Sequence, residues 1–106
     1  MALFNFRKHK KKEGGERHPK LIVDETTNEY GFMGLTHSSK RGNHKNIALK
    51  QNPQKGQSKQ SYIRKELRYD SKQNFGEVLK NYELSEEDKI YILDYLKNKK
   101  KVAFRR

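Results

Sequence analysis

The stretch KLIVDETTNEYGFMGLTHS, residues 20–38, holds two runs rich in aliphatic and aromatic residues, Lys20–Asp24 and Tyr30–Thr36, on either side of a polar segment containing Asn28. Such residues suit a pleated, half-buried surface, and a polar break between two such runs reads as a turn, so the stretch predicts an antiparallel β-hairpin. Upstream, ALFNF supplies one further short strand, whereas RKHKKKEGGE, residues 7–16, has too little apolar content to order itself and is expected to be a mobile arm or loop.

Downstream, HSSKRGNH is polar, basic and glycine-containing, which predicts a loop, and NIALK alternates as a third strand. QNPQKGQSKQ, with Pro53 and Gly56 among amides and lysines, predicts a second long, mobile loop. SYIRKELRYD then reads as one strand, with Ile63, Leu67 and Tyr69 on one face and Tyr62, Arg64 and Arg68 on the other. FGEVLKNY admits a short helical turn. Ser85 with Asp88 forms a capping box, Glu86 and Glu87 complement the positive end of a helix dipole, and Lys97–Lys101 complement its negative end. A helix over about Glu86–Lys99 follows, with Ile90, Ile92, Leu93, Tyr95 and Leu96 as the stripe facing the sheet. The fold class expected is mainly β (α+β), a small antiparallel barrel closed by a C-terminal helix.

At 106 residues with 31% hydrophobic content, the chain is one domain with a small core. It has no cysteine, which removes disulfides and thiolate chemistry and fits a reducing compartment. No run approaches the roughly 18 apolar residues that cross a bilayer, and no apolar segment follows the N-terminal charges, so a cytoplasmic location and no membrane partner are expected. The net charge of +12 is zoned: residues 37–65 carry +8 without one acid, and residues 66–96 carry −4. A basic zone between basic tails suits a polyanion, since neutralising phosphates releases counterions. Lys40, Arg41, His44, Lys45, Lys55, Lys59 and Arg64 are the candidate RNA-binding residues in and beside that zone.

Four segments, in this order, resemble the MazF/PemK family of endoribonuclease toxins: GGERHPKLIV, FMGLTHS, SYIRKELRYD and LKNYELSEEDKIYILDYL, together spanning about Gly14–Lys97. The resemblance implies an SH3-like barrel over residues 14–99, between a basic arm (1–13) and a basic tail (100–106). It implies a homodimer inhibited by a cognate antitoxin whose acidic segment lies across the RNA groove. It also implies cleavage of single-stranded RNA without metal or cofactor, leaving a 2′,3′-cyclic phosphate and a 5′-OH. Arg17 and Thr36 match the family's residues at the scissile phosphate. The family's first strand opens on Gly-Asp, whereas here the region is MALFNF followed by a lysine run, so that strand is expected to be shortened or rebuilt.

The residue types suit that chemistry. A guanidinium such as that of Arg17 is a permanent, bidentate partner for charge developing on phosphate oxygens. Thr36 supplies a hydroxyl to the same phosphate, and His18 and His37, adjoining these two residues, supply imidazole, the usual acid–base group near neutral pH. Blander readings stand beside these: Arg17 as one solvated cation among 25 Lys and Arg, Thr36 as a strand former, and Phe32, Tyr62 and Tyr69 as core rather than base-stacking rings. His37 and His44 lack a third metal ligand at a convincing spacing. The alternative function is a non-catalytic basic nucleic-acid-binding accessory protein of a mobile element.

Overall fold

A computed structural model describes residues 3–10 and 18–99. Residues 1–2, 11–17 and 100–106, and with them Arg17, both ends of the basic arm and the tail, lie outside these residues. The described residues form β1 (Asn5–His9), β2 (Lys20–Glu25), β3 (Glu29–Thr36), β4 (Lys40–Arg41), β5 (His44–Lys45), β6 (Ile47–Ala48), β7 (Tyr62–Ile63), β8 (Arg68–Ser71), β9 (Phe75–Val78) and α1 (Glu86–Lys99). The protein is mainly β, its sheet antiparallel, with one C-terminal helix. None of the described helical structure is long and apolar enough to span a membrane.

The hairpin expected at residues 20–38 is the centre of the sheet. β2 and β3 pair from Lys20↔Gly34 to Glu25↔Tyr30, and the turn is held by Thr26, whose N–H donates to the Glu29 carbonyl (2.9 Å) and whose Oγ1 accepts from the Glu29 N–H (3.0 Å). Between Ile22↔Phe32 and Asp24↔Gly31 the register slips by one, a β-bulge at Val23. Gly31 is required by its surroundings: a Cβ there would sit 2.8 Å from the Tyr69 ring and 2.9 Å from the Asp24 Cβ.

β1 takes the outer edge of β2, and β9 takes that of β1. The opposite edge of β3 is shared, its first half pairing with β8 and its end with β7, which in turn holds β6. The rebuilt first strand thus exists, and Arg7–His9, expected in a mobile arm, are its second half. β8 and β9 are joined by a 3-10 turn at Lys72–Asn74. The sheet curls, yet it is not closed into a barrel. Its curvature is visible in His9 on β1, whose Nε2 lies 2.8 Å from Asp70 Oδ2 on β8. In a flat sheet those strands stand three spacings, about 14 Å, apart.

Strand alternation divides the sheet into two faces. Phe6, Leu21, Val23, Met33, Leu35, Ile63 and Leu67 face α1 and form the main core with Ile47, Leu49, Leu84, Ile92 and Leu96. Ile22, Phe32 and Phe75 form a smaller cluster on the other face.

Several expectations are corrected. SYIRKELRYD is not one strand: after Arg64, whose N–H donates to the Gly34 carbonyl (2.8 Å), the chain leaves β3 and rejoins it at Arg68, although Ile63 and Leu67 do reach the core as expected. HSSKRGNH is not an open loop, since β4 and β5 pair across Gly42-Asn43, with Gly42 at φ 60°, as the first central residue of a type II′ turn requires. The segment 51–60 is pinned: Pro53 is fully buried, Gln54 bridges Tyr82, and Gln60 Nε2 donates to the carbonyls of Leu49 (2.7 Å) and Ser61 (2.8 Å). These side-chain bonds replace the apolar anchors whose absence suggested mobility. FGEVLKNY begins as strand β9, because β1 offers it a free edge.

The helix has the expected bounds but a different rotation. Asp88 is 2% exposed, and its carboxylate accepts from the N–H groups of Lys50 (3.0 and 3.1 Å) and Gln51 (3.2 Å) and from Ser85 Oγ (3.0 Å), while Ser85 Oγ accepts the Asp88 N–H (3.2 Å). With Asp88 turned inward, Ile92 and Leu96 face the core. Ile90, two residues and about 200° around from both Asp88 and Ile92, faces away. Ile90 is accordingly 66% exposed and Leu93 44%, against the expectation that both pack on the sheet. Asp88→Ala removes the acceptor of buried N–H groups, so we expect a loss of about 2–4 kcal/mol in urea unfolding. Ile90→Ser should change stability by no more than about 0.5 kcal/mol in the same assay.

Candidate functional site

The end of β3 is where the sequence candidates meet. Thr36 closes the strand, paired with Tyr62 on β7, and the chain before β2 returns alongside it, the Leu35 N–H donating to the Pro19 carbonyl (3.2 Å). That return brings His18 against His37, the two rings 6.2 Å apart between centroids and edge to face at 88°. Residues separated by nineteen positions in sequence therefore present two imidazoles at one place.

His37 is held in a defined state. Its Nδ1 lies 3.1 Å from the backbone carbonyl of Gln60. A carbonyl only accepts, so Nδ1 carries the hydrogen and the neutral ring keeps its lone pair on Nε2. Gln60 is in turn fixed by its two side-chain bonds to Leu49 and Ser61, so the carbonyl is a rigid orienter.

Thr36 has a different position from that of an open phosphate ligand. It is 3% exposed, and its Oγ1 accepts from the Ser38 N–H (3.1 Å), a short turn that swings His37 out of the strand. The hydroxyl shapes the support of His37. Its partner in the sequence reading, Arg17, immediately precedes His18 in the chain and lies outside the described residues.

The basic candidates divide. Lys40, Arg41, His44 and Lys45 are all exposed on the β4–β5 hairpin, whose base is fastened beside His37 by Asn46: its Nδ2 donates to the Ser38 carbonyl (2.9 Å) and its N–H to the Ser39 carbonyl (2.9 Å). Lys59 adjoins Gln60 and is exposed. Lys55 sits elsewhere, next to Gln54 at the bridge to Tyr82. Arg64 lies on β3 over Gly34, where an added Cβ would come within 3.3 Å of Arg64 Cδ. Among the described residues, no three His, Asp or Glu side chains are grouped as a metal site, and His37 and His44 are not joined by a third ligand.

Other groups escaped the sequence reading. His9 is buried, stacked on Phe75 (4.6 Å between centroids, 25°) and bonded to Asp70, which also accepts from Asn74 Nδ2 (2.9 Å). Arg7 stands over the Tyr30 ring and donates from Nη1 to the Gly76 carbonyl (2.7 Å). The one available signal was the alternation of LFNFRKH, masked by the lysines that follow it.

No protein-family model matches the chain, and no curated protein matches it at a significant level. The site is therefore read from its own geometry. The tautomer is directly checkable: long-range proton–nitrogen NMR on labelled protein above the titration range should show His37 protonated at Nδ1. An Nε2-protonated ring would mean that the Gln60 carbonyl does not hold it.

Proposed function

We propose that this protein is a metal-independent endoribonuclease acting on single-stranded RNA, a toxin of the MazF/PemK type in which the curled sheet serves as the SH3-like scaffold. The observation that carries this reading is the edge-to-face pair of His18 and His37 with the second ring oriented through Nδ1. Two imidazoles at one place suit a reaction needing a base and an acid at once. One accepts the proton of the ribose 2′-OH as its oxygen attacks the adjacent phosphorus. The other gives a proton to the departing 5′-oxygen as the P–O5′ bond breaks, leaving a 2′,3′-cyclic phosphate and a 5′-OH. Arg17, next to His18 in the chain, is assigned the clamp on the non-bridging oxygens, and Thr36 the support of His37. The proton chemistry stays with the two histidines, as their residue type suggests, and it is Thr36 that moves, from the phosphate to the support of His37. A flexible single strand reaches the in-line geometry that an A-form duplex disfavours. In this reading the protein works as a homodimer and is inhibited by an acidic antitoxin covering the same basic surface.

The burial of Thr36, with its hydroxyl already engaged, favours the second reading, a non-catalytic nucleic-acid-binding protein. The two separate cleanly. Incubated with unstructured RNA in EDTA, the protein should produce cyclic-phosphate ends. His37→Ala should slow this about 10²- to 10⁴-fold, and Arg17→Ala should abolish it, with both variants folded by circular dichroism. RNA left intact by the wild-type protein overturns the enzymatic reading in favour of the binding one.

A further inference from the structure

The sheet face turned away from α1 carries a row of cations that the two histidines do not account for. On β3 the side chains of Tyr30, Phe32 and Thr36, and the bare Cα of Gly34, share this face. Each position before Thr36 is covered by a basic side chain from a neighbouring segment. Arg64 lies across Gly34, the Arg68 guanidinium carbon stands 5.0 Å from the Phe32 ring centroid, and at Tyr30 Arg7 stands at 5.0 Å and Lys72 at 5.4 Å. Same-face residues of a strand repeat every 6.8 Å or so, about one nucleotide of extended backbone.

The covering could have been done by leucine or methionine. Using arginine stems shields Ile22, Phe32 and Phe75 equally well but fixes charged heads at the surface. Rings beneath Arg7, Arg68 and Lys72, and the Gly76 carbonyl beside Arg7, hold three of these heads in place, so an anion binding there orders little that is not already ordered. The acids on this face are engaged locally: Glu25 with Lys72 (2.6 Å), Glu66 near Arg68 (3.7 Å) and Asp70 with His9. The row ends at Thr36, beside the histidines.

We propose that this row is the track on which single-stranded RNA lies, with successive phosphates against Arg64, Arg68 and the Arg7–Lys72 pair, and with the strand leading to His18 and His37. The proposal deepens the ribonuclease reading by assigning the substrate's path, and it rests on that reading for the identity of the nucleic acid. Binding is measured on a strand that cannot be cut, so absence of cleavage and absence of the track give different results. The probe is a labelled 2′-O-methyl oligonucleotide, followed by fluorescence anisotropy across a salt series. The doubly substituted Arg64→Gln, Arg68→Gln protein should lose about 1.4 from the slope of log affinity against log salt, about 0.7 for each phosphate contact removed. A control with equal charge loss, Lys80→Gln with Lys97→Gln at exposed positions away from the row, should keep the wild-type slope. Thermal unfolding checks that both are folded, and Arg64→Gln alone, expected to lose about 0.7, serves if the double variant is not. An unchanged slope in the arginine variant, or an equal loss in the control, overturns the track. So does stronger competition from charge-matched polyglutamate or from duplex RNA than from the single strand.

Discussion

β3 is bonded along both edges and buried on both faces, and this double demand constrains everything around it. One edge belongs to β2 from Tyr30 to Gly34 and to Pro19 at Leu35, and the other is divided between β8 and β7. Met33 and Leu35 go to the helix side and Phe32 to the other, so the strand is apolar almost continuously rather than in alternation. The division of its second edge forces residues 65–67 to leave and return, while Arg64, still bonded through its N–H to the Gly34 carbonyl (2.8 Å), lies over Gly34 as the last residue before the excursion. The strand's end, pressed between Pro19 and Tyr62, brings His18 to His37. The candidate site is a by-product of how one strand finds its partners.

Much of this was legible because it is local. The hairpin, the capped helix and the inward Ile63 and Leu67 follow from alternation and capping residues a few positions apart. What sequence could not show depends on contacts distant along the chain. The rotation of α1 is decided by Asp88 reaching the N–H groups of Lys50 and Gln51, so an apolar stripe including Ile90 and Leu93 looked sufficient and was not the face chosen. The order of residues 51–60 comes from Gln60 and Pro53 finding neighbours, whereas composition predicted mobility. Arg7 and His9 read as part of a charged arm because nothing local announces the partner strand β9. At the site, the value of His18 and His37 as individual candidates was visible, but their pairing was not, since it depends on the return of the chain at Pro19.

The zoning of charge also changes meaning in three dimensions. The basic zone of residues 37–65 is dispersed: Lys40, Arg41 and Lys45 lie on the exposed β4–β5 hairpin, Lys55 next to the bridge of Gln54 with Tyr82, and Arg64 over β3, where Arg7, Arg68 and Lys72 join it from segments with quite different local charge. Folding thus breaks up a linear block and assembles one row of cations from four separate segments. Thr36 itself is better understood as an architectural hydroxyl: by accepting the Ser38 N–H it ends the strand and directs His37 outward.

The bulge at Val23 sorts the two adjacent carboxylates of β2. An unbroken ladder would set Asp24 opposite Tyr30, among the cations, and Glu25 toward the helix. The extra residue reverses the assignment: Asp24 comes opposite Gly31 and accepts the Tyr69 hydroxyl, while Glu25 comes opposite Tyr30 and reaches Lys72. The shorter acid thereby serves as an internal strut, and the longer, more pliant one reaches across to a cation of the outer row. One inserted residue thus determines which of two neighbouring carboxylates is spent inside the fold and which stands among the cations.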